Sequence, residues 1–393
     1  MNHLAYLISP ELKLAALLSR PTLSGAEIGQ ACVLLHGIDH SHFKALLDQH
    51  RVWSSVYLNI KDHFPAFVPA DLLQYLAIKY RRNVSKNYQH LICYGELLHH
   101  FENAAVPMQI LKGIPLAKKL YGDIAKRYAK DIDLIIPADR LSHAHELIMG
   151  LGYTCEIFDR LSEYQQVIYL KSLKDIAYTG KTGVRLELHV RPCQYATVLS
   201  QHYARQLFDN TGLEDTSHDE LIYLCWHGTQ TFYHRLKWLL DIVLYIEQLQ
   251  ARNQLKVDSL TALAGQLNAM RPLTVSWVLA NLLYATPLPE PIADFYHRDK
   301  VTRRLIRKSL TLLAMSQTQS WRFRFDAYFY ARLIPQGWAD KRLILKGVFT
   351  PNIDDINLLS ALPVKLAALH SVLQPFIFLY TRLRPGNVNV DRG

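Results

Sequence analysis

The chain predicts an α+β architecture: a small mixed β-sheet core with helices on one face, flanked by N-terminal and C-terminal all-helical regions. Three observations carry this. Apolar residues recur at helical spacing through residues 1–103; strand-like and helical runs alternate through 104–192; the helical period returns over 193–393.

In the first region, Glu11-Leu12-x-Leu14-x-x-Leu17-Leu18 and Leu72-Leu73-x-x-Leu76-x-x-Lys79 each line up one apolar helix face. Ser24 and Glu27 have the spacing of a capping box, and Pro65 and Pro69 punctuate a joint. A last helix, about Val84 to Asn103, leads into the core. There Met108–Leu111 is a short apolar run ending in Lys112-Gly113, Ile114–Tyr121 has helical spacing, and Asp131–Ile136 reads as a strand. A helix over Arg140–Leu151 ends at Gly152, a residue suited to the left-handed position after a helix. Tyr153–Phe158, Tyr164–Tyr169, Ile176–Thr179 and Val184–Val190 are further strand candidates, with Gly180-Lys181-Thr182-Gly183 as a turn before the last. Beyond Pro192, Ser217 with Asp219 and Glu220 caps a helix running to His227, and another begins near Arg235. Pro287, Pro289 and Pro291 mark a break, after which the chain is helical, basic and aromatic.

With 393 residues, half of them hydrophobic and a fifth charged, the chain suffices for two or three folded units, and wholesale disorder is excluded. Lys and Arg exceed Asp and Glu by 44 to 34, a net charge of +10 that favours an anionic partner. Five scattered cysteines without a C-x-x-C pair read as reduced thiols. The first residues lack the pattern of a signal peptide, and the apolar segment Leu366–Leu379 is interrupted by His370, Gln374 and Pro375. The expected location is the cytoplasm.

Chemistry concentrates between Leu111 and Leu188. In Asp131-x-Asp133 the alternation of a strand turns both carboxylates to one face while Ile132 and Leu134 pack on the other. Glu187, on a later strand, supplies a third carboxylate. Hard divalent cations take such oxygen ligands, and a pair of ions about 3.5–4 Å apart can hold the attacking and leaving oxygens of an in-line displacement. The opposing reading makes Asp131 and Asp133 solvent-facing edge residues and pairs Glu187 with Arg185 or Arg191.

Leu111-Lys112-Gly113, Arg127-x-x-x-Asp131-Ile132-Asp133-Leu134-Ile135, Gly152-Tyr153, Glu187-Leu188-His189, His227 and Arg235-Leu236-Lys237-Trp238-Leu239-Leu240-Asp241 together resemble the bacterial nucleotidyltransferase family proteins, a branch of the DNA polymerase beta-like nucleotidyltransferase superfamily. The resemblance runs from about Leu12 to Pro385. It implies a mixed sheet carrying a carboxylate triad, and transfer of a nucleoside monophosphate from an NTP, ATP first among them, to an acceptor with release of pyrophosphate. Asp131, Asp133 and Glu187 match the catalytic, metal-binding set for Mg²⁺ or Mn²⁺. Lys112-Gly113 stands where the wider superfamily commonly has Gly-Ser.

Nucleotide contacts are expected from Lys112, Gly113, Arg127 and His189. Gly113 opens a helix N-terminus to phosphate, and Lys112 adds a point charge. Arg127 clamps phosphate or pairs with Asp123. His189 shares a strand face with Glu187 by period two, where it steers that carboxylate or packs in the core. His227 and Asp241 read as helix-packing residues, with Arg235 or Lys237 as partners for Asp241. His36, His40 and His42 carry a metal-like spacing that Gly37 interrupts. The acceptor is open: a small molecule, a peptide or tRNA. The alternative function is a non-catalytic module that binds RNA or a protein through its basic C-terminal region, the run from Trp321 to Tyr330 stacking on bases.

Overall fold

The computed structural model describes residues 2–155, 158, 161–162, 165–166, 169, 174–209, 217–315, 330–346, 355, 365 and 367–383. The elements run α1 (Pro10–Leu18), α2 (Gly25–Leu35), α3 (His40–His50), α4 (Trp53–His63), α5 (Ala70–Asn103), β1 (Gln109–Ile110), α6 (Ile114–Tyr121), β2 (Ile132–Ile135), α7 (Leu141–Gly150), β3 (Asp175–Thr179), β4 (Arg185–His189) and α8 (Val198–Asp209). There follow α9 (Ser217–Gln230), α10 (Leu236–Ala251), α11 (Val257–Gln266), α12 (Met270–Tyr284), α13 (Glu290–Arg298), α14 (Lys300–Ala314), α15 (Trp338–Lys346) and α16 (Ala367–Leu383). The architecture is α+β, mostly helix around a small mixed sheet, as the sequence predicts. Two compact units contain these elements: Met1–Ile92, Lys112–Lys130 and Glu214–Thr318 form the first, and Cys93–Leu111, Asp131–Leu213 and Gln319–Gly393 the second.

The first unit is all helical and is built around α12, which packs against α1, α9, α10, α11, α13 and α14. Trp277 of α12 is fully buried, and its indole N–H donates to the Pro287 carbonyl at 2.8 Å, so the ring enters the core without an unpaired donor. The capping box at α2 forms: the Ser24 hydroxyl accepts from Glu27 N, and the Glu27 carboxylate accepts from Ser24 N at 2.8 Å. His50, the last residue of α3, ties distant elements together. Its Nδ1 accepts from the Leu236 N–H at 3.2 Å, and its Nε2–H donates to the Leu313 carbonyl at 2.9 Å. That geometry requires the neutral ring.

Burial holds His50 at a pKa of about 3 and both His90 and His234 at about 4. Because these values lie below that of an exposed histidine, the contribution to stability is full above pH ~6.5. It is lost as pH falls toward 4, at up to ~1.4 kcal/mol per pH unit for each ring. Urea unfolding followed by tryptophan fluorescence is therefore expected to show a steep fall in midpoint between pH 6.5 and 4. Trp53, Trp226, Trp238 and Trp277, all in this unit, supply the signal. A midpoint constant over that range would contradict the assignment.

The second unit carries a four-stranded sheet in the order β1-β2-β4-β3. β2 and β4 are parallel, while β1 on β2 and β3 on β4 are antiparallel. One face is apolar: Ile132, Leu134, Ile176, Tyr178, Leu186 and Leu188 pack with Leu97 and Phe101 of α5 and Ala144 and Ile148 of α7. Gly152 ends α7 with φ 80, and its N–H donates to the Met149 carbonyl at 2.9 Å. The β3–β4 turn closes with Gly183 at φ 77 and its N–H on the Gly180 carbonyl at 2.9 Å.

Two strand expectations are corrected. Among the described residues of Tyr153–Phe158, Thr154 alone pairs, through a single bridge to Thr179, and Phe158 lies in a helical turn. Of Tyr164–Tyr169, the described residues Gln165, Gln166 and Tyr169 are helical. The cause is a second capping box: Ser162 N donates to Gln165 Oε1 at 2.8 Å, and Gln165 N donates to Ser162 Oγ at 3.4 Å. α16 takes in the interrupted segment around Pro375, and no helix among the described residues is long and apolar enough to cross a membrane.

Candidate functional site

The polar face of the sheet gathers the chemistry. In the β2–β4 register Asp133 stands directly opposite Glu187, and Ile135 opposite His189. Partners in a register share a face, so both carboxylates lie on the side away from the apolar core. His189 joins them by period two. β3 then sets Asp175 opposite His189 and the small Ala177 opposite Glu187. Asp131 precedes β2 by one residue and follows the same alternation.

His189, 2 % exposed at the side chain, has Nε2 3.0 Å from Asp133 Oδ1 and 3.9 Å from Glu187 Oε2. One donor atom each from Asp133, Glu187 and His189 lies within 4.8 Å of the other two, the one such group among the described residues. Arg185 Nη2 approaches Glu187 Oε1 at 3.5 Å, so part of the opposing reading also holds. Burial, followed by the charges of Asp131, Asp133 and Asp175, raises the Glu187 pKa to about 7. Asp175 is lowered despite its burial, because Lys174, 3.0 Å away, and then His189 favour its charge.

This set fits a divalent cation. Two carboxylates and an imidazole nitrogen are donor types such ions accept, and the neighbouring negative charges that, after burial, raise Glu187 are the repulsion a cation removes. His189 Nδ1 is buried without a hydrogen bond, 3.6 Å from Asp175 Oδ2.

The other expected residues fall as follows. Lys112 and Gly113 belong to the first unit, where Gly113, at φ 79, precedes α6 without a side-chain cap. Arg127 also belongs there, 4 % exposed, with Nε on Asp241 Oδ1 at 2.8 Å and Nη2 on Oδ2 at 2.7 Å. Where the sequence offered Asp123 to Arg127, and Arg235 or Lys237 to Asp241, the structure joins Arg127 to Asp241. His227 packs edge-on against Trp238 with ring centres 5.2 Å apart, the helix-packing role expected of it. His36 instead bonds the Cys32 carbonyl through Nδ1 at 2.8 Å, and His42 Nδ1 lies 3.6 Å from Glu11. The run from Trp321 lies outside the described residues until Tyr330.

Sequence reading missed Asp175. It was legible only as the polar residue before a strand, and the β3–β4 register alone brings it to His189.

No curated protein and no solved structure matches the chain. A family model does match, over residues 36–285, a span that takes in Asp131, Asp133, Glu187 and the Arg127–Asp241 pair. The chain belongs to that family, described as uncharacterised nucleotidyltransferase.

Proposed function

We propose that the protein transfers a nucleoside monophosphate from an NTP to an acceptor, with Asp133 and Glu187 holding Mg²⁺ or Mn²⁺ and Asp131 completing the carboxylate set. The observation that carries the reading is the β2–β4 register, which sets Asp133 beside Glu187 with His189 on the same face. Family membership supports the reaction class. A bound divalent cation supplies charge neutralisation at the α-phosphate and lowers the pKa of an attacking hydroxyl.

The chain's own residues do the rest. Asp133 Oδ1 is held by His189 Nε2 at 3.0 Å, so the carboxylate keeps one orientation. Asp175 Oδ2 lies 3.6 Å from the other ring nitrogen, Nδ1, so a carboxylate flanks the ring on each side. The acceptor hydroxyl attacks the α-phosphorus, the bond to the β-phosphate breaks, and pyrophosphate leaves. Rate then rests on positioning and electrostatics rather than on a protein nucleophile.

Incubation with each α-labelled NTP, ATP first, Mg²⁺ or Mn²⁺ and a cell extract tests this. The expected result is a labelled product that disappears in Asp131→Ala/Asp133→Ala. Equal labelling by the double variant would exclude the mechanism.

A further inference from the structure

Resting on the cation site proposed above, we infer that its ion is a first-row transition metal such as Mn²⁺ rather than Mg²⁺, with His189 Nε2 as a nitrogen ligand and Asp175 as the positioning residue behind the ring.

The separations suit ligands of one ion. His189 Nε2 lies 3.0 Å from Asp133 Oδ1 and 3.9 Å from Glu187 Oε2. Metal–ligand bonds of about 2.0–2.2 Å set neighbouring ligand atoms about 3 Å apart and opposite ones about 4 Å apart. Glu187 is turned accordingly. Its Oε1 is the oxygen toward Arg185 Nη2, at 3.5 Å, and its Oε2 is the one toward the ring.

The ring has a fixed place and a support. His189 sits on β4, an inner strand, with Ile135 opposite it on β2 and Asp175 opposite it on β3. Ligation uses the lone pair of Nε2, so the ring proton then stands on Nδ1. A carboxylate behind that second nitrogen orients a metal-bound imidazole and strengthens it as a donor. Asp175 Oδ2 is at 3.6 Å, and a small tilt of the ring brings Nδ1–H onto it. In the cation-free protein Nε2–H donates to Asp133 Oδ1. On binding, that proton moves through solvent to Nδ1, or is released where Nδ1 already carries one. Asp175 is itself anchored: Lys174 Nζ lies 3.0 Å from Oδ2, the Tyr169 hydroxyl donates to the Asp175 carbonyl at 2.9 Å, and Val190 N donates to the Lys174 carbonyl at 2.9 Å.

Donor chemistry then selects the ion. Mg²⁺ is a hard cation that keeps oxygen ligands and water. An imidazole nitrogen shifts the preference to transition ions, with affinity rising from Mn²⁺ to Co²⁺. Among the described residues this is the one group that joins a histidine to two carboxylates at such distances.

Pulsed electron paramagnetic resonance of Mn²⁺ bound to the full chain, with histidine alone isotopically labelled at nitrogen, reads the ligand without any variant. The expected result is a nitrogen coupling that changes with the label and vanishes in His189→Gln. More than a roughly tenfold excess of Mg²⁺ should be needed to displace half of the Mn²⁺. Asp175→Ala should lower Mn²⁺ affinity about 10–100-fold, and Asp175→Asn, which keeps an acceptor for Nδ1–H, should restore most of it. That restoration separates positioning of the ring from loss of structure. Bound Mn²⁺ without coupling to histidine nitrogen, half-displacement by a smaller excess of Mg²⁺, or unchanged affinity in Asp175→Ala overturns the inference and leaves the carboxylate site standing. Mn²⁺ that stays in solution overturns both.

Discussion

Asp133→Asn is expected to lower NTP-dependent transfer on the order of 10³-fold, ~4 kcal/mol of transition-state stabilisation, without lowering the melting temperature of the cation-free protein at pH 8. The two halves of this expectation have one cause. Asparagine keeps the shape of Asp133 and its acceptor for His189 Nε2 at 3.0 Å, but removes the charge that a divalent cation requires. It also removes one of the three neighbouring carboxylates that, after burial, raise Glu187 to about 7. A carboxyl whose pKa is raised on folding contributes its stability in full below ~4.5 and loses it as pH rises through 7. In EDTA the wild-type protein should thus weaken between pH 6 and 8, and Asp133→Asn should weaken less. This trend is opposite in sign to that of the buried histidines, so the readout is the pH dependence of the difference between variant and wild type. Undiminished transfer by Asp133→Asn, or a melting temperature several degrees lower in EDTA, would contradict the account.

Breaking the Arg127–Asp241 pair is the other large effect. Both side chains are almost fully buried, and two hydrogen bonds of 2.8 and 2.7 Å join them. Removing one member of such a pair leaves a buried charge and typically costs ~3–5 kcal/mol. The costs should be unequal. Asp241→Asn strips the carboxylate that offsets Lys237 as well as Arg127, whereas Arg127→Met lowers the local excess of positive charge. Asp241→Asn is therefore expected to be the worse of the two in urea unfolding. Arg127→Met/Asp241→Leu should recover much of the summed loss, giving a coupling of ~2 kcal/mol or more. Two single variants each costing under ~1 kcal/mol would show that the pair does not hold the first unit together.

Legibility in the sequence followed the range of the interactions. Helix and strand periods, the Ser24 capping box, the Gly152 terminus and the Gly180–Gly183 turn depend on neighbours in the chain, and each was readable from its own segment. So was the alternation that turns Asp133 and Glu187 to polar faces. Tyr164–Tyr169 was misread because its apolar residues suit either period, and the deciding signal was the short motif Ser162-x-x-Gln165. Register was not readable at all. That Asp133 meets Glu187 across a parallel pair, and Asp175 meets His189 across an antiparallel one, is set by packing of the whole sheet. Likewise, Arg127 sits four residues before Asp131 and looks like a phosphate clamp by position. Its carboxylate partner lies 114 residues on, where helical spacing marks Asp241 only as a packed residue.

The most direct test of the central claim is titration of the cation-free protein with Mn²⁺, following the free ion by electron paramagnetic resonance. Saturable binding that is lost in both Asp133→Asn and Glu187→Gln, in variants that melt no lower than the wild type, is the predicted result. Mn²⁺ that remains free in the presence of wild-type protein, or that binds the two variants equally well, would show that the polar face of the sheet is not a cation site.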